Sequence, residues 1–131
     1  MRLFLVRHAE AATGEPDELR PLTQAGRETA RGVGKQLAAE GVHPDVVLSS
    51  PLLRARETAA EIAKATGAEA ETDDRLAPGA DADALRGAIA GRGDTVVVVG
   101  HQPDFGRIAA ALGGGPQPRF PPGGVAALDL D

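Results

Sequence analysis

Short apolar runs alternate with amphipathic stretches along the chain. Arg2 to Val6 is a compact apolar run, the pattern of a buried strand. Thr23 suits a helix N-cap; after it Ala30, Val33, Leu37 and Ala38 recur at helical spacing, and Gly41 with Pro44 beyond marks the stop. Asp45 to Ser49 encloses Val46-Val47-Leu48, a second buried strand. Ser50-Pro51 predicts the next helix start, a capping hydroxyl and then proline at the first helical position. Leu52, Ala55, Ala59, Ile62 and Ala63 carry that helix to near Gly67. Glu69 to Thr72 predicts a short edge strand, and Asp81 to Ala90 a modest helix with Leu85 and Ile89 four apart. Thr95-Val96-Val97-Val98-Val99 is an unbroken β-branched run, suited to a central parallel strand covered on both faces. A helix over Pro103 to Leu112 and a last strand over Val125 to Leu130 complete the pattern.

Strand and helix alternate, with no repeat and no dividing linker. This predicts an α/β fold: a three-layer αβα sandwich around a mostly parallel sheet, one domain over 1–131. The 131 residues suffice for one domain and not for two. Hydrophobic residues at 42% and charged residues at 25% are ordinary for a soluble globular protein. With three Phe and no Tyr or Trp, the core must be built from Val, Leu, Ile and Ala. Gly113 to Pro116 and Phe120 to Gly124 concentrate glycine and proline and read as a connection. No stretch approaches the roughly 18 apolar residues of a membrane span, and the opening run is too short for a signal peptide. A cytoplasmic protein is expected. The absence of cysteine excludes disulfides, thiolate catalysis and zinc–sulfur sites. A net charge of −5 opposes a broad nucleic-acid surface.

In open α/β sheets, ligands sit outside the carboxyl ends of the strands. Three predicted strands end in polar residues: Arg7-His8, Ser49-Ser50 with Arg54 in the following helix, and Gly100-His101. Two histidines and two arginines would converge on one crevice. A histidine can attack phosphorus, while guanidinium groups hold the equatorial oxygens and neutralise their charge. The predicted helix starts at Ser50 and near Gln102-Pro103 would add N–H donors for an anion, which makes Gln102 a candidate substrate contact. No Asp, Glu or His grouping has metal-ligand spacing, so neither metal nor cofactor is expected.

Arg7-His8-Ala9-Glu10 after an apolar strand resembles the Arg-His-Gly signature of the histidine phosphatase superfamily, with Ala9 in place of glycine. Ser50-Pro51-Leu52-Leu53-Arg54-Ala55-Arg56-Glu57-Thr58-Ala59 resembles the second motif of that family, and Val98-Val99-Gly100-His101 the third. Arg20-Pro21-Leu22-Thr23 resembles the segment before its first long helix. The match runs nearly end to end. It implies a minimal phosphoglycerate mutase-like fold of the SixA type, without the long insertion after the second helix. The resemblance further implies that His8 is transiently phosphorylated and that Arg7, Arg54 and His101 form the anion pocket. Arg20 then becomes a further phosphate or substrate contact. The usual acid, a glutamate in the insertion, has no evident match.

Each residue also has an ordinary reading. Arg54 could pair with Glu57 or Glu61 on its helix, Arg7 with Glu10, and His101 could cap the next helix. Taken together, the four favour the site. Arg56 reads as a helix ion pair and His43 as a surface residue. Glu10 and Asp81 are the candidates for a substitute acid. The expected activity is metal-independent hydrolysis of phosphohistidine on a partner protein, by a monomer. Phosphate or other oxyanions would enter the pocket, and neither nucleic acid nor membrane would be bound. A phosphatase for a small phosphomonoester and an inactive domain binding phosphorylated ligands are the alternatives. The missing insertion weighs against the first, the pair His8 and His101 against the second.

Overall fold

A computed structural model describes Met1–Leu130; Asp131 lies outside the described residues. The elements run β1 (Arg2–Arg7), α1 (Gln24–Ala39), β2 (Val46–Ser49), α2 (Leu53–Thr66), β3 (Ala70–Thr72), α3 (Ala82–Ile89), β4 (Thr95–Gly100), α4 (Asp104–Gly113) and β5 (Val125–Asp129). Single 3-10 turns occupy Asp17–Leu19 and Asp74–Leu76. The sheet order is β3-β2-β4-β1-β5, parallel except for β5, which pairs antiparallel with β1.

Alternation along each inner strand divides the core in two. Val96 and Val98 join Leu3, Leu5, Val46 and Leu48 beneath Leu85 and Ile89 of α3 and Phe105 and Ile108 of α4. Val97 and Val99 join Phe4, Val6 and Val47 beneath Leu37 of α1 and Ala55, Ala59 and Ile62 of α2. Both faces of β4 are covered, which is why its sequence is apolar without interruption. The result is the expected three-layer sandwich. No helix among the described residues is long and apolar enough to cross a membrane.

Topology fixes where the crevice lies. β1 leads through α1 to β2 on one side, whereas β4 leads through α4 to β5 on the other. β1 and β4 are neighbours, and their following helices leave on opposite faces. A crevice therefore opens at their carboxyl ends, where the chain continues into His8 and His101.

Two helix starts differ from the sequence expectation. α2 begins at Leu53, not at Ser50-Pro51, and its N-cap Leu52 makes no side-chain cap bond. The Ser50 hydroxyl accepts from the Leu52 N–H at 3.2 Å and pairs with His101 Nε2 at 2.7 Å. The would-be cap thus serves the backbone ahead of the helix and a buried histidine at once. Pro103 is the N-cap of α4, which starts at Asp104. Thr23 caps α1 as expected, its oxygen accepting from the Gly26 N–H at 2.9 Å.

Candidate active site

The end of β1 is held from both sides. The His8 N–H donates to the Gly100 carbonyl at 3.0 Å, extending the ladder with β4. On the other side the Arg7 N–H donates to the Gly124 carbonyl at 3.0 Å, and the Gly123 N–H donates to the carbonyls of Arg7 and His8 at 3.1 and 3.3 Å. Gly123 does so at φ +78°, where a side chain would be strained and would press on Thr29. The guanidinium of Arg7 donates from Nη1 to the Phe120 carbonyl at 2.9 Å. The segment 120–124, read in the sequence only as a connection, thus clamps the strand end.

His8 Nδ1 lies 2.8 Å from the Ala9 carbonyl, which can only accept. Nδ1 therefore carries the proton, and Nε2 keeps its lone pair for attack. The peptide joining His8 to Ala9 is itself fixed: the Ala9 N–H donates to Thr58 Oγ1 at 3.0 Å, and that hydroxyl donates to the Arg54 carbonyl at 2.9 Å. The Ala9 methyl is fully buried with Leu22 and Ala30, so the departure from glycine is filled by a small apolar cluster.

His101 faces His8, with ring centroids 5.2 Å apart. Burial lowers the pKa of His8, helped by the positive charges of Arg54, Arg7 and Arg20 and opposed by the Ala9 carbonyl. Burial, then His8 and Arg54, lower that of His101 to about 4. At neutral pH both rings are uncharged, so His101 of the free protein acts as a hydrogen-bonding group and not as a cation.

Arg54 is buried, and the ordinary reading of it fails. Glu57 accepts from the Leu22 N–H and pairs with Arg27, while Glu61 pairs with Arg31. Arg54 instead forks onto Asp17, from Nη1 to its carbonyl at 2.9 Å and from Nη2 to its carboxylate at 3.2 Å. Arg20 meets the same carboxylate from Nη1 at 2.8 Å and donates from Nε to the Ala12 carbonyl at 2.8 Å. Sequence reasoning missed Asp17; the available signal was its place three residues before Arg20. The buried Nε of Arg7 has no hydrogen-bond partner among the described residues, and a phosphoryl oxygen would satisfy it.

The other candidates are otherwise engaged. Gln102 Oε1 accepts from the Gly106 N–H at 2.7 Å, tying that side chain to its own helix. Glu10 is exposed and accepts from the Thr23 hydroxyl at 2.8 Å. Asp81 caps α3, accepting from the Ala84 N–H at 2.8 Å. Arg56 and His43 are exposed. Among the described residues no three His, Asp or Glu side chains gather as a cation site. The arrangement brings two neutral imidazoles and three guanidinium groups to one crevice, groups that suit the transfer of a phosphoryl dianion.

The family model described as histidine phosphatase superfamily (branch 1) matches residues 3–78. Phosphohistidine phosphatase SixA of Escherichia coli (strain K12) is 32% identical over 100% of the chain and 86% of that protein. A solved structure of the protein histidine phosphatase SixA complexed with tungstate superposes with a TM-score of 0.90 at 31% identity, covering 100% of this chain and 89% of that one. A SixA-type protein from Agrobacterium tumefaciens gives a TM-score of 0.78 at 30% identity, covering 98% and 90%.

Proposed function

The chain belongs to the histidine phosphatase superfamily, and on that premise we propose that it hydrolyses phosphohistidine on a protein without a metal, through phosphorylation of His8. The observation that carries the proposal is the tautomer of His8: with Nδ1–H on the Ala9 carbonyl, Nε2 is free to attack amid three arginines. Nε2 attacks phosphorus in line, and Arg7, Arg20 and Arg54 neutralise the equatorial oxygens. His101, aligned by Ser50, supplies a further hydrogen bond. Phosphorylated His8 keeps its Nδ1 proton against the Ala9 carbonyl, so its ring is cationic and leaves readily as neutral imidazole when water attacks.

Two features support phosphohistidine over an alkyl ester. An alkoxide needs a positioned acid, worth typically ~10²–10⁴-fold, whereas a protonated imidazole does not. The two carboxylates that could have filled that role are tied to Thr23 and to the start of α3, and Asp17 is held ionised by Arg20 and Arg54. The tungstate in the related structure is a phosphate-like oxyanion, in keeping with a pocket built from arginines. The test is kcat/KM for one preparation, with and without EDTA, on phosphohistidine protein, p-nitrophenyl phosphate and an alkyl phosphomonoester. Phosphohistidine is expected to lead the alkyl ester by at least about tenfold on the acid-catalysis argument, with the aryl ester between and chelation without effect. An alkyl ester in first place, or loss on chelation with rescue by a divalent ion, refutes the proposal.

A further inference from the structure

We propose that Asp17 is the leaving-group residue: its carboxylate accepts the N–H of the substrate imidazole, at the ring nitrogen that does not carry phosphorus. The inference rests on the phosphohistidine reading above and adds to it the group that would select such a substrate.

Three observations place Asp17 for this. Its carboxylate contacts two of the three arginines proposed to hold the phosphoryl group, Arg20 at 2.8 Å and Arg54 at 3.2 Å. A phosphoryl oxygen on Arg54 would therefore sit one guanidinium away from it. The side chain is also 61% exposed, on the solvent side from which a protein-borne substrate must come. A carboxylate has about four acceptor positions, and the arginines take two of them. Finally, an open hollow of about 510 Å³ begins at Asp17 and Arg20 and continues along Thr13, Gly14, Glu15 and Pro16, giving room for the chain that bears the histidine. Hydrogen bonds from Arg20 and then Arg54 keep the carboxyl below its usual range, so it is an acceptor at any working pH and not a proton donor.

The chemistry needs such an acceptor. When the second nitrogen of phosphohistidine is protonated, the P–N bond pair returns to the first nitrogen and a neutral imidazole departs. When it is not, the leaving group is an imidazolate. An adjacent carboxylate favours the protonated ring by accepting its N–H and by its charge. As P–N breaks, His8 Nε2 forms the new P–N bond; no proton moves, because each ring holds its own on the far nitrogen. Asp17 does for the substrate ring what the Ala9 carbonyl does for His8.

Asp17→Asn removes the charge, keeps an oxygen for one of the two arginines and turns an NH2 toward the other. For phosphohistidine protein, kcat/KM is expected to fall about tenfold near neutral pH, and the alkaline limb of kcat, which reports the bound ring, to move about one pH unit lower, since one unit is tenfold. p-Nitrophenyl phosphate has no ring N–H to present, so its loss, and that of tungstate inhibition, reports only the disturbance of Arg20 and Arg54 and is expected to be clearly the smaller. Glu18→Gln, in the same turn, leaves all three unchanged. Equal losses on both substrates together with weaker tungstate inhibition would show that Asp17 only holds Arg54, and unchanged phosphohistidine turnover would show that it does neither; each overturns the proposal. A wild-type protein that prefers an alkyl ester refutes the underlying substrate reading, and that result is seen before any variant is made.

Discussion

At the nucleophile, proton position and charge have separate causes. The Ala9 carbonyl fixes the tautomer, while burial and the arginines keep the ring neutral. The two act in the same direction for catalysis, because only the neutral ring presents a lone pair at Nε2. The acid limb of kcat/KM reports the free enzyme's base. Since the pKa of His8 lies below 6.5, the nucleophile stays competent as pH falls through that value. On p-nitrophenyl phosphate, kcat/KM is expected to remain level from neutral pH to below 6.5 and to decline only beneath it. A half-maximal point above 6.5 would show that the arginines and burial do not set the charge of His8. His8, Arg7, Arg54 and His101 were legible in the sequence because each ends or follows a strand or opens the helix after one, and parallel strands bring their carboxyl ends to one edge. Asp17 was not, because its meaning comes from Arg54, 37 residues away.

Between elements, the site depends on close approaches that a one-dimensional pattern does not show. Gly26 of α1 lies so near the Glu10 carbonyl oxygen that a Cβ there would overlap it, and Gly100 at the end of β4 gives its Cβ space to the ring of Phe105. Thr58 ties α2 to the peptide after the nucleophile. In Thr58→Val the Ala9 N–H is left buried and unpaired, at a cost of about 1–3 kcal/mol. The peptide joining His8 to Ala9 then loses its anchor, and the His8 ring its fixed aim. We expect a lower Tm and a kcat reduced about tenfold with a smaller change in KM, and recovery of both in Thr58→Ser, on the scale of one such bond. A valine variant with wild-type kcat would show that Thr58 holds the helix and not the nucleophile. The strands over Val46 to Leu48 and Thr95 to Val99 were readable from composition, since burial on both faces demands apolar residues throughout. α2 starts later than its sequence pattern suggests, the Ser50 hydroxyl accepting from the Leu52 N–H ahead of the helix while it meets His101, 51 residues on.

For the whole molecule, the decisive feature is the switch point between β1 and β4. It places His8 and His101 side by side, with α2 delivering Arg54 and the turn at Asp17–Leu19 delivering an ionised carboxylate to the same mouth. The short β3–α3 connection, with its single turn at Asp74–Leu76, ends in Asp81, which caps α3, and an open hollow lies beside Asp17 and Arg20. All of this converges on one chemical event, the formation of a covalent bond between His8 Nε2 and phosphorus. The direct measurement is rapid-quench mixing of the protein with a ³²P-labelled phosphohistidine protein, followed by peptide mapping. Attack by His8 predicts acid-labile label on that residue that forms and decays at rates compatible with turnover, and none in His8→Ala. Phosphate released without passing through His8, or label recovered on another residue while turnover proceeds, would contradict it.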